Sequence, residues 1–138
     1  MTVAAINKVR ALEKQLLQCK QEPVTTYHLI HAGMYARTIT IPAGLVLTGA
    51  LIKRATILIL NGDAVVGTGE STLHLAGYHV IPASANRKQA FHALADTQLT
   101  MLFPTTAENT KDAEEEFTDE VDLLFSRYGE NVINITGE

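Results

Sequence analysis

Apolar side chains recur every three or four positions near the start of the chain. Ala5, Val9, Leu12, Leu16 and Cys19 fall on one stripe, with Lys8, Arg10, Glu13, Lys14 and Lys20 off it. That period predicts an amphipathic helix over 3–20, capped by Thr2 and stopped before Pro23. The stripe packs either on its own domain or on a copy of itself, because two heptads are too few to hold a coiled coil alone.

From residue 24 the pattern becomes strand-like. Residues 24–30 are β-rich, and Gly33 marks a turn. Residues 34–41 alternate, with Tyr35, Arg37 and Ile39 set against Ala36, Thr38 and Thr40, which predicts a strand without deciding its buried face. The stretch 41–62 opens on the turn signal Pro42-Ala43-Gly44 and closes on Asn61-Gly62, a hairpin signal that makes 63–67 the returning strand. Thr68-Gly69-Glu70 is a further turn. Short strands are expected over 71–75 and 78–81, separated by Ala76-Gly77, then a loop over 82–86. A last hairpin joins 88–94 to 97–103 around Ala95-Asp96. Short strands at regular spacing with glycine turns predict an all-β sandwich or barrel.

Pro104 ends the strands. Asn109 is placed to cap a second helix, with Asp112 in its first turn. Phe117, Val121, Leu124, Phe125 and Tyr128 form one apolar helical face, ending at Gly129. That face either covers the barrel or binds a partner. Residues 131–136 have strand composition and suit a sheet edge, in this chain or a neighbour. The expected organisation is an N-terminal helix over 1–22, a mostly β body over 23–104, and an acidic helix and tail over 105–138.

A chain of 138 residues is one domain by default and long enough for a real core. Cys19 is the single cysteine, which excludes an internal disulfide and a cysteine-based zinc site. Charged residues interrupt the first seventeen positions where a signal peptide would be apolar, and no run is long enough to span a membrane. The net charge of −4 hides an asymmetry, −8 over residues 105–138 against +4 before them. The acidic tail is either a solvated surface or folds onto a basic patch, its own or a neighbour's. Basic residues are scattered and no reading motif occurs, so nucleic acid is not expected as a partner.

The order of elements resembles the cupin superfamily, and more narrowly the small single-domain cupin-like proteins of tailed bacteriophages and prophages. The resemblance is carried by residues 33–44 (GMYARTITIPAG), then Leu47-Thr48-Gly49, Lys53 and Leu60-Asn61-Gly62. It continues through the loop around Pro82, Ala95-Asp96-Thr97, and Phe103-Pro104-Thr105 followed by acidic residues. It spans roughly residues 24–125. It implies a cupin β-barrel or jelly roll. Cupins commonly hold a divalent metal through two histidines and a glutamate on a first motif and a histidine on a second. The resemblance puts the first-motif positions near Ile52, Ala55 and Thr56, which lack suitable donors, and His92 near the second. The usual metal centre is therefore expected to be missing, and no cofactor is implied. A site rebuilt from His74, His79 and His92 is the metal-binding alternative.

Two functional readings follow. The first is a non-enzymatic, metal-free structural or interaction protein: a self-assembling accessory or virion component in a phage or prophage setting, homo-oligomeric, located in the bacterial cytoplasm or the virion. Its interface candidates are Val9, Leu12, Leu16, Phe117, Val121, Leu124 and Phe125. The second uses the barrel interior to bind a sugar or nucleotide, or to isomerise one without metal. Its candidates are His92, Tyr35, Arg37 and Tyr78, with Arg37 and Arg87 available for a substrate phosphate by resemblance to the metal-free sugar epimerases.

Overall fold

A computed structural model describes residues 1–19, 24–124 and the backbone of 132–136. Helix α1 (Val3–Leu16) begins where Thr2 accepts a hydrogen bond from the Ala5 amide. It is followed by strands β1 (Thr25–His31), β2 (Met34–Ile41), β3 (Val46–Thr48), β4 (Thr56–Gly67), β5 (Thr72–Ala83), β6 (Ala90–Ala93) and β7 (Thr97–Pro104). Helix α2 (Thr110–Phe117), a 3-10 turn (Val121–Leu123) and strand β8 (Val132–Thr136) complete the chain. The strands form one curled, half-barrel sheet in the order β3-β6-β4-β7-β2-β1-β8, with β5 on β4. All pairs are antiparallel except β1 with β8, so the expected terminal strand adds to an edge of its own chain.

The alternation places Tyr35, Arg37 and Ile41 of β2 on the inner face, with Leu58, Leu60, Ala64 and Val66 of β4 and Leu99, Met101 and Phe103 of β7. This resolves which face of 34–41 is buried. Asn109 caps α2 by accepting from the Asp112 amide, as its sequence position predicted.

Three sequence expectations are corrected. Asn61-Gly62 is not a hairpin turn, because β4 runs unbroken through it. β4 pairs with β7 up to Asn61 and with β6 from Ala64, so Gly62 is where the strand changes neighbours. A Cβ at Gly62 would lie 2.7 Å from the Thr97 Cα, so the glycine answers a close approach of backbones. Second, the two short strands around Ala76-Gly77 are one, since Gly77 pairs with Gly62 within a continuous ladder. Third, β6 and β7 do not form a hairpin with each other. They lie end to end along β4.

The second helix is also shorter than its apolar face. It stops at Phe117, where the β-branched Thr118 is fully extended. Phe125, Tyr128 and Gly129 of that predicted face lie outside the described residues.

Among the described residues of the acidic segment, Glu114, Glu116, Asp119 and Glu120 pair with the chain's own cations. Arg37 pairs with Glu114 at 3.0 Å, Lys53 with Asp119 at 2.7 Å, Arg54 with Glu116 at 3.6 Å, and Lys88 and Arg10 with Glu120. Lys88 also reaches Glu13 of α1 at 2.8 Å. Its ammonium thus clamps both terminal segments to the Gly49 carbonyl at the barrel mouth. Burial works to raise the Glu120 pKa, but hydrogen bonds from Lys88 and Arg10 and the Lys88 charge hold it below the usual range.

The helix stripe follows the same logic. Ala5 and Val9 are buried, and a Cβ on Gly69 would collide with the Ala5 carbonyl, so α1 packs on its own domain at the β4–β5 turn. Leu12 and Leu16 are half-buried. Phe117 and Leu124 are core residues and Val121 packs against them. Three interface candidates, Val9, Phe117 and Leu124, are therefore used inside the fold; Phe125 is outside the described residues.

Candidate functional site in the barrel interior

The inner face of the sheet lines a partly open cavity of about 100 Å³, with Phe117, Leu123 and Leu124 in its wall. Its walls are mainly apolar, from Ile39, Leu47, Leu58, Phe91 and Leu99, with Arg37, Arg87 and Met101 among them. Two guanidinium groups thus border an apolar space, and their environments differ.

Arg37 points inward from β2 and is neutralised. Glu114 reaches it from α2, both side chains are buried, and the Arg37 guanidinium lies 5.7 Å from the Phe117 ring centroid. Arg87 follows Asn86, a non-glycine residue at φ 58°. Its backbone exchanges two hydrogen bonds with Ile52, at 2.8 and 3.0 Å. Its side chain donates to the Ser84 carbonyl at 2.8 Å, the Arg54 carbonyl at 3.2 Å, the Thr56 hydroxyl at 2.8 Å and the Met101 sulfur at 3.7 Å. All four acceptors are neutral. Burial lowers its pKa to about 10, which leaves it charged at neutral pH.

A second buried polar group lies outside the cavity lining. His28 of β1 and Tyr35 of β2 hydrogen-bond through Nδ1 and the phenol oxygen at 2.7 Å. Tyr35 meets Phe103 edge-on and stacks near Phe117. Burial first, then the Arg37 charge, lowers the His28 pKa to about 4, against an opposing effect from Glu114. The ring is therefore neutral at pH 7.

The structure distributes the interior candidates differently from the sequence reading. Arg37 lines the cavity. Tyr35 is fully buried but belongs to the aromatic cluster beneath it. Tyr78 is 66 % exposed on the outer face of β5, and His92 is exposed on β6 between Val46 and Val65. These four side chains do not converge. The inner face of β6 is taken by Phe91 and Ala93, so strand parity turns His92 outward. Met101 stands out only in three dimensions, whereas Arg87, a phosphate candidate in the sequence, does line the cavity. Arg87 looks like a loop residue in sequence, and the bridge to Ile52, a partner 35 positions away, sets its direction.

The metal positions implied by the resemblance do not fit a cation. Ile52 and Ala55 offer no donor, and the Thr56 hydroxyl is held by Arg87, whose own positive charge would face any metal beside it. His74 pairs with Asp63 on the outer face, and His79 donates to the Ala76 carbonyl. Among the described residues no group of three or more His, Cys, Asp or Glu side chains is placed to hold a metal.

Solved structures share this architecture. A cupin-superfamily protein from Desulfitobacterium hafniense superposes with a TM-score of 0.51 at 15% identity, covering 66% of this chain and 85% of its own. This is a cupin fold. KdgF from a Halomonas species superposes with a TM-score of 0.52 at 16% identity, over 70% of this chain and 90% of its own. An RmlC-like cupin with a double-stranded β-helix fold from Methanocaldococcus jannaschii gives 0.50 at 10% identity, over 62% and 84%. At these identities the likeness is one of fold. No protein-family model matches the sequence, and no curated protein does.

Proposed function

We propose that this cupin is a non-enzymatic, metal-free interaction module that assembles with copies of itself through the outer face of its sheet. The observation behind this reading is an uncharged patch of three rows on that face. Cross-strand register aligns Leu29, Ala36, Leu102, Ile57 and Pro82 in one row across β1, β2, β7, β4 and β5. The next row on that face is Tyr27, Thr38, Thr100, Ile59 and Val80, and the third is Thr25, Thr40, Gln98, Asn61 and Tyr78. No Lys, Arg, Asp or Glu occurs at these positions. An antiparallel sheet facing water normally turns polar residues outward. Here Tyr78, Val80, Ile57, Leu29 and Tyr27 are all exposed. β5 is an edge strand of twelve residues without a lysine or inward charge to blunt it.

A second copy is the occupant that this composition favours. A two-fold interface must complement itself, and an uncharged patch does so without like-charge repulsion. A role in a phage particle or its assembly is the setting implied by the sequence resemblance. A small-molecule binder using the interior is the second reading, favoured by the cavity beside Arg87.

Light scattering across a concentration series tests the main reading. The chain should be oligomeric, and Tyr78→Asp with Val80→Asp should yield a folded monomer. Leu12→Asp with Leu16→Asp should lower stability and leave the assembly state unchanged. A wild-type protein that stays monomeric at every concentration refutes the proposal.

A further inference from the structure

Among the described residues three cationic side chains are buried: Lys88 at 0 % exposure, Arg87 at 4 % and Arg37 at 8 %. Lys88 pairs with Glu13 and Glu120, and Arg37 pairs with Glu114. Among the described residues Arg87 pairs with no carboxylate, and only neutral acceptors surround it. A buried charge without a counter-charge is costly, and folds normally pair it or hold it for a ligand.

The surroundings of Arg87 suit an anion. Its weakest contact is the Met101 thioether, a poor acceptor at 3.7 Å, and Met101 itself lines the cavity. Its Nε–H makes no hydrogen bond among the described residues. The guanidinium is held rigidly by the Ile52 bridge, two carbonyls and Thr56, so little side-chain freedom remains to be lost on binding. The rest of the lining is mainly apolar, with Arg37, Thr48 and Gln89 as its polar members, and it suits a short hydrocarbon chain better than a fully hydrated ion.

We propose that the barrel interior binds a small aliphatic monocarboxylate, its carboxylate paired with Arg87 and its chain packed among Ile39, Leu58 and Leu99. The cavity of about 100 Å³ favours a short chain, and pentanoate serves as a probe of that class. The carboxylate displaces the Met101 sulfur from Nη2 and supplies the counter-charge that the described residues do not. This site is on the opposite side of the sheet from the proposed assembly face, so either proposal stands or falls alone.

Calorimetric titration of the full chain with pentanoate, pentanamide and inorganic phosphate tests it, with the Met101 methyl resonance as a local reporter. Pentanoate should bind one per chain and shift that methyl. The amide should bind at least about tenfold more weakly, and phosphate should not bind. Arg87→Met should abolish pentanoate binding. Arg87→Lys, which keeps the charge and loses the planar fork, should weaken it. If Arg87→Met does not fold, the comparison of acid with amide on the wild-type protein decides the matter. Equal affinity for acid and amide overturns the role of Arg87. Absence of pentanoate binding, or binding that leaves the Met101 methyl unmoved, overturns the site.

Discussion

Arg37 and Glu114 meet at 3.0 Å across 77 positions of sequence, both nearly excluded from water. The pair joins the middle strand of one half of the sheet to the helix that covers it, and it places Phe117 over the cavity. Removing one partner leaves the other charge buried. Glu114→Ala should therefore cost about 3–5 kcal/mol in denaturant unfolding. The double change Arg37→Met, Glu114→Leu should recover most of that loss, because the desolvation penalty goes with both charges.

His28 should make stability depend on pH. Its folded pKa of about 4 lies below the ordinary value of 6.5, so between these values the unfolded chain binds the proton and the folded chain does not. Its contribution is complete above pH 6.5, shrinks as pH falls through that window, and is gone below about pH 4. The full effect is about 3 kcal/mol by linkage. Urea midpoints measured from pH 7.5 to 4 should fall for the wild type and fall less for His28→Gln.

Gly62 and Gly77 face each other across β4 and β5 but should respond unequally to substitution. A Cβ at Gly62 runs into Thr97, whereas one at Gly77 meets nothing within 4 Å and bears only the strain of φ 93°. Gly62→Ala should destabilise by about 1–3 kcal/mol or more. Gly77→Ala should cost about 1–2 kcal/mol. Equal losses in thermal unfolding would show that β4 does not bend against β7 here.

Lys88 should control the two terminal segments together. Lys88→Met leaves Glu13 and Glu120 facing one another without their shared cation. Amides of α1 and of the 3-10 turn should lose hydrogen-exchange protection. The amides of the β4–β7 ladder should keep theirs, because they rest on local sheet pairing.

The cupin architecture was legible in the strand alternation, the turn signals and the order of elements. The helix starts at Thr2 and Asn109 could be read residue by residue, since a cap is a contact between neighbours in sequence. The candidate site was less legible. Arg37 was identified, but strand parity sends His92 and Tyr78 outward, and Arg87 becomes an interior residue only through Ile52 and Thr56.

Sequence alone thus determined what depends on short separations: the period of each strand, the capping of both helices, the absence of metal donors at residues 52, 55 and 56, and an excess of acid in the tail. Tertiary structure decided whatever depends on a distant partner. Asn61-Gly62 has the composition of a turn, yet β5, β6 and β7 supply enough pairing along both edges to keep it in one strand. The acids of the tail have no inherent destination until the curled sheet brings Arg37, Lys53, Arg54 and Lys88 beneath them. Whether a buried cation finds a counter-charge is settled by packing in three dimensions, and at Arg87 the described fold leaves it without one.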